Sequence, residues 1–311
     1  MAPKAKAKAK AKNTKRGAKA SRSSFRAKPT RAKVKAKPAR RSSKPAKPSR
    51  AVTPAPRSPN VIARPTNLEQ LGVVTAPTGR LCVFDVGLVG YLPRPALEPA
   101  LVVADVPSDR ELAVVGRRVG KGRFADCWDH VAIAIHDGEV AHAKKLGEAG
   151  VDFARLICMD KGALDHWQHE DSLDGLSDFV FWGRDEVLLA KVMRAPRIPD
   201  GYGWTDLTVA EAEARADRAA VLKANNHWLL AMDLRPHSHH FHALAAARAS
   251  RCGAGTLEVG GATTCMFFTS WGDGVFPIYL DVDHDDQPVR IRIQLATEAS
   301  NAAMRSVNSR P

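Results

Sequence analysis

The stretch Val289-Arg290-Ile291-Arg292-Ile293-Gln294-Leu295 alternates aliphatic and polar side chains without a break. Successive side chains of a strand point to opposite faces. The spacing therefore predicts a half-buried strand, with Val289, Ile291, Ile293 and Leu295 on the core side. Residues 275–280 form a second apolar run just upstream, and the acidic segment Asp281–Gln287 between the two reads as a hairpin turn. Working outward, short apolar runs at 80–86, 100–106, 111–119, 131–135 and 154–159 are separated by Gly and Pro and read as further strands.

Two segments read as helices instead. Thr208-Val-Ala-Glu211 has the capping-box pattern and opens a helix over 209–224, in which Glu211 and Arg215 stand i,i+4. A second helix is predicted over 239–251, with Gly253 as its C-cap, and a short helical turn over Ala163–Trp167. Strands dominate both ends and helices cluster between them. The fold class is therefore α+β, a β-rich single globular domain with a few helices, and it starts near Asn67, where Leu68, Leu71, Val73 and Val74 begin the first apolar pattern.

Upstream of that boundary the chain changes character. Of 47 Lys and Arg in the protein, 22 lie in residues 1–66, where there is no Asp or Glu before Glu69. The remaining 25 basic residues face all 33 acidic ones, so residues 67–311 carry about −8. An alphabet of Lys, Arg, Ala, Pro and Ser offers too little apolar surface to offset ordering entropy, so residues 1–66 are expected to be a disordered tail. Lys at every second position from Lys4 to Lys12 would fall on opposite sides of a helix, which leaves no apolar face and argues against a transit peptide.

The tail is expected to bind DNA or RNA phosphates without sequence specificity, by counterion release. The candidate contacts are Lys4, Lys6, Lys8, Lys10, Lys12, Lys15, Arg16, Lys19, Arg22, Arg26, Lys28, Arg31, Lys33, Lys35, Lys37, Arg40, Arg41, Lys44, Lys47 and Arg50. Phe25 is the only aromatic residue there, which argues against base stacking. The composition resembles linker-histone tails. The rival outcome is intramolecular: the tail docks on acidic turns of its own body, such as Asp281, Asp283, Asp285 and Asp286.

Five Cys without a CxxC spacing predict reduced thiols and a cytoplasmic, nucleoid-associated protein. No apolar run reaches the length of a membrane span. G-x-S-x-G, a P-loop and G-x-G-x-x-G before a helix are all missing, so no catalytic residue is assigned and no cofactor is expected. Cys127, Cys158 and His130 could be assembled into a dyad, but buried inert thiols are the simpler reading. His237, His239, His240 and His242 crowd six positions, and His239 and His242 have a spacing compatible with metal. With no partner ligand at metal-site spacing, the cluster reads as a helix N-terminal turn and no metal is assigned.

The segment Ser270-Trp271-Gly272-Asp273-Gly274-Val-Phe276-Pro277 resembles the G-W-G-D-G-x-Y-P signature of the bacterial family called domain of unknown function 4241. Gly150-Val151-Asp152 through Cys158-Met159-Asp160 is similar to that family's "VD…FMD" segment, and Thr78-Gly79-Arg80 leading to Asp85 resembles its opening strand. The resemblance covers residues 78–295 and implies an architecture without an activity. Ser270 and Ala154 stand where the family usually has Gly, and Phe276 where Tyr is usual. Gly272 and Gly274 around Asp273 make a tight turn joining two core strands. The alternative is that Trp271, Gly272, Asp273 and Gly274 open a ligand pocket. Function is expected to be non-enzymatic: a nucleic-acid-associated protein whose body serves an unknown protein partner or senses a ligand. The second reading makes the body an enzyme or small-ligand domain with a pocket near Trp271–Phe276.

Overall fold

The computed structural model of the protein describes residues 68–307, so the predicted tail and its 20 candidate contacts lie outside the described residues. In chain order the first half runs β1 (Leu68–Val74), β2 (Arg80–Phe84), α1 (Arg94–Leu97), β3 (Val102–Asp105), β4 (Leu112–Arg118), β5 (Trp128–Ala134), β6 (His142–Val151) and β7 (Arg155–Asp160). The middle is β8 (Leu176–Gly183), α2 (Glu186–Met193), β9 (Arg197–Ile198), β10 (Gly201–Thr208), α3 (Val209–Asn226) and β11 (Leu230–Pro236). The chain then continues through α4 (His239–Ala249), β12 (Ala254–Val259), β13 (Ala262–Phe268), β14 (Gly274–Val282), β15 (Pro288–Gln294) and α5 (Glu298–Val307). The fold is α+β and rich in strands, as predicted.

Two antiparallel sheets pack face to face. The first has the order β1-β4-β5-β15-β14-β6, and the second β12-β13-β7-β2-β3. Their inner faces share one core around Trp128, Ile133, Phe267, Phe276, Ile291 and Ile293. The hairpin is present: Ile278 pairs with Ile293 and Leu280 with Ile291. Val289, Ile291, Ile293 and Leu295 are all buried. A glycine makes room for the largest core side chain. A Cβ at Gly116 would lie 2.6 Å from the Trp128 ring and 2.8 Å from Leu71. The outer face of the second sheet is covered by α4, α1 and short helical turns, which bury Phe84, Leu97, Trp167 and Met266.

The third sheet, β11-β8-β10-β9, stands apart and packs α2 and α3 over Phe179, Phe181 and Leu189. Its strand β11 carries an alternating pattern that went unpredicted, with Leu230, Met232 and Leu234 toward the helices; β8 carries none. Residues 177–181 of β8 are buried in succession, Ser177 and Asp178 included, so both faces are covered and no alternation marks the strand. β6 hides for the opposite reason: most of it is exposed, with Lys144 and Lys145 on an edge strand, where charge discourages pairing with other chains.

Three local expectations need correction. The predicted pair between the Glu211 and Arg215 side chains does not form. The Glu211 carboxylate turns back to the Thr208 N–H and hydroxyl, completing the capping box. Arg215 instead lies 5.1 Å over the Trp204 ring and donates to the Glu211 carbonyl. α4 stops at Ala249, with Ser250 as its C-cap, because the Ser250 hydroxyl takes the Cys252 N–H. Gly253, at φ +68°, belongs to the turn into β12. Asp281 is no turn residue: it sits in β14, buried, and is held by Arg290 at 2.7 Å and Arg292 at 2.9 Å.

Candidate functional site

The three segments that resemble the bacterial family meet in one hydrogen-bonded knot. Asp85, at the end of β2, is fully buried and accepts from the N–H groups of Gly87, Asp152 and Phe153 at 2.8–2.9 Å. Burial still pushes its pKa up, against the pull of those three donors. Asp160 accepts from Thr78 N–H at 2.9 Å, from the Thr78 hydroxyl at 2.6 Å, and from the Gly162 and Ala163 N–H groups. Asp273 accepts from the Ala154 N–H at 3.0 Å. Residues 152–154, between β6 and β7, are thus held from one side by Asp85 and from the other by Asp273.

The 270–274 turn carries β13 of one sheet into β14 of the other. Trp271 is buried beneath it and donates its indole N–H to the Trp128 carbonyl at 2.7 Å. Gly272 has φ +77°, where a side chain would be strained. Ser270 and Ala154, the two positions where the family usually has Gly, also lie at positive φ, +61° and +53°. The Ser270 hydroxyl accepts from the Trp128 N–H at 2.8 Å and donates to the Thr269 carbonyl, an offset that Gly would lack. Phe276 is 1% exposed, so the hydroxyl of a Tyr here would need a buried partner. Asp273 is the exposed side chain of the four predicted positions, and its one hydrogen bond braces the loop behind it.

The histidine cluster separates into unlike environments. His237 lies between two carboxylates, Nδ1 3.1 Å from Asp174 and Nε2 3.1 Å from Asp178. Burial pulls its pKa down, but hydrogen bonds to Asp178 and Asp174 outweigh that, and the net shift is upward. Asp178, Asp206 and His237 bring ligand-type atoms within 4.8 Å of one another. Both ring nitrogens of His237 are engaged by Asp174 and Asp178, so the imidazole offers no lone pair to a metal, and the Asp206 N–H ties its loop to Asp178. His239 accepts from the Gln168 N–H and stacks on Trp167.

His240 points elsewhere, into a cleft of about 650 Å³ between the helical face of the sandwich and the third sheet. Its ring stacks on His169, centroids 4.2 Å apart and planes within 16°. Arg155, the first residue of β7, and Arg248, on α4, line the same cleft. Burial, then His169, Arg155 and Arg248, pull the His240 pKa down to about 3. Burial and Arg155 bring His169 down to about 4. Arg155 is shifted down as well, by burial first and then by Arg248, with Asp85 opposing. The His169 Nδ1 lies 3.2 Å from the Trp167 indole N–H, which makes it an acceptor and leaves its ring proton on Nε2. The Arg155 Nε and His240 Nε2 atoms are buried without a hydrogen-bond partner. Phe153, held in place by Asp85, packs against Tyr91 with ring centroids 5.0 Å apart and planes tilted by 32°, and lies under Arg155.

The sequence singled out His240, but as part of a metal spacing. It gave no sign of Arg155 or Arg248, because no periodicity links residues 91, 155, 169, 240 and 248. Trp271 and Asp273 line neither this cleft nor the shallower hollow beside Trp228. Burial pushes the Cys82 and Cys265 thiols up to about 12, and Cys158 well above its ordinary value. Cys127 is raised by burial too, and His130 is engaged with Asp129 at 2.9 Å, so no thiolate–imidazole pair forms. Compared with protein-family models, curated proteins and solved structures, the chain matches none.

Proposed function

We propose that the protein is a nucleic-acid-associated, non-enzymatic protein: residues 1–66 bind DNA or RNA phosphates, and the α+β body senses a small ligand. The segregation of charge carries this reading: 22 basic residues and no acidic ones in residues 1–66, against about −8 in the rest. Lys and Arg in such an array neutralise phosphates and release condensed counterions. The body's acidic hairpin is a poor competitor for the tail. Asp281 is engaged by two arginines, Asp286 by Lys144 and His142, and Asp283 by backbone N–H groups and His136. Among the described residues no helix is long and apolar enough to cross a membrane. Placement at the nucleoid belongs to this proposal.

Membership of the bacterial family called domain of unknown function 4241 is part of the same reading. It is supported by the hydrogen-bonded meeting of the three motif segments and by the positive φ of residues 154 and 270. The ligand role of the body is supported by the unengaged polar atoms of the Arg155 cleft, rather than by a pocket at Trp271–Phe276.

The test is a band-shift titration of the full chain and of residues 67–311 at several salt concentrations. The full chain is expected to bind any sequence, with log affinity falling by about 0.9 per log salt for each phosphate neutralised, while residues 67–311 do not bind. Equal binding by both, or no binding by the full chain at moderate salt, overturns the proposal.

A further inference from the structure

The cleft beside Arg155 is furnished for one kind of chemistry. A guanidinium presents a planar fork of N–H donors matched to carboxylate and phosphate oxygens. Arg155 has a fully buried Nε with no partner and no carboxylate within ion-pair distance among the described residues. Asp85 is close enough to act on it electrostatically, but both Asp85 oxygens are occupied by backbone N–H groups. Arg248 lines the same wall, also unpaired among the described residues, and repels Arg155. His240 lines the same cleft through its ring, while its Nε2 is buried behind that surface without a partner. A fold gains nothing by bringing two unpaired guanidinium groups to one cleft, whereas a ligand bearing an oxyanion would satisfy Arg155 and Arg248 together.

The other side of the cleft has the opposite character. Glu170, Asp171 and Glu213 line it, beside Asp233, which Arg235 holds at 2.6 Å. Carboxylates there suit hydroxyl or amino groups and repel a second anion. The volume, about 650 Å³, exceeds what an isolated phosphate fills and falls in the range of small organic ligands.

We propose that this cleft binds a small organic oxyanion, a phosphate or carboxylate bearing hydroxyl or amino groups, with its anionic end on Arg155 and Arg248 and its polar end toward Glu170, Asp171 and Glu213. This rests on the reading of the body as a ligand-sensing module and is independent of what the tail binds.

The experiment is calorimetric titration of the full chain, at fixed ionic strength, with ribose 5-phosphate, gluconate and, as the uncharged control, ribose. One oxyanion is expected to saturate a single site per chain, and ribose to give no isotherm. Whichever of the two saturates identifies phosphate or carboxylate as the anionic group. Arg248→Gln, on an exposed position of α4, is expected to weaken binding about tenfold or more, as the loss of a charge-assisted hydrogen bond requires. Arg155→Met is expected to do the same. Should that variant not fold, Arg248→Gln decides alone. Both variants keep the tail, so oxyanion held by tail lysines would titrate identically in variants and parent. That identity, or the absence of a saturable isotherm for both oxyanions, overturns the proposal and leaves the band-shift result untouched.

Discussion

The 270–274 turn and the Arg155 cleft flank the same three residues, 152–154, and treat their polar groups in opposite ways. In the turn, the Trp271 indole, the Ser270 hydroxyl and the Asp273 carboxylate each meet a backbone partner. In the cleft, a guanidinium and an imidazole keep buried nitrogen atoms that meet nothing. A buried polar group usually has a partner, because leaving it unpaired costs about 1–3 kcal/mol. Saturated groups therefore mark architecture, and unsaturated ones mark a place where the molecule is completed by something else. The two regions are also mechanically linked. Asp273 and Asp85 fix residues 152–154, and so position Phe153 and Arg155 at the cleft wall.

The sharpest way to break this contrast is Trp271→Ala. If the turn is architecture, the variant loses a fully packed ring and its hydrogen bond to Trp128, at a cost of about 3–5 kcal/mol in chemical denaturation. A variant that stays as stable as the parent would move Trp271 to the ligand-binding side of the comparison. A smaller effect probes the strain stored beside the knot. Ala154→Gly removes the Cβ from a left-handed conformation, whose relief of about 1–2 kcal/mol exceeds the added backbone entropy of about 0.5–1 kcal/mol. The melting temperature is expected to rise slightly, and a fall would mean that the Ala154 methyl contributes packing that the strain argument omits.

Much of the sandwich was legible because half-buried strands and capped helices write local patterns. The 289–295 alternation gave the central hairpin, and Thr208 with Glu211 gave the start of α3. The centre of the third sheet was not legible, since β8 is buried along 177–181 and loses the alternation that reveals a strand, whereas the alternation of Leu230, Met232 and Leu234 in β11 was there to be read. Asp273 and Trp271 were found through a motif, yet their role depends on Ala154 and Trp128, which are distant in sequence. The cleft was illegible for a stronger reason. Its character comes from what Arg155 and His240 lack, and the lack of a partner leaves no trace in a sequence.

The central claim is that Arg155 is held for a ligand at the expense of the free protein. Burial and Arg248 both disfavour its charge, with Asp85 and Tyr91 in opposition, and the net shift is downward. The most direct test is the denaturation midpoint of ligand-free Arg155→Met against the parent, measured in the same buffer. The account predicts a midpoint equal to or above the parent's, because an apolar chain of similar length removes an unpaired, half-buried charge. A midpoint lowered by about 1 kcal/mol or more in stability would contradict it, by showing that the guanidinium ties the fold together as Asp85 and Trp271 do.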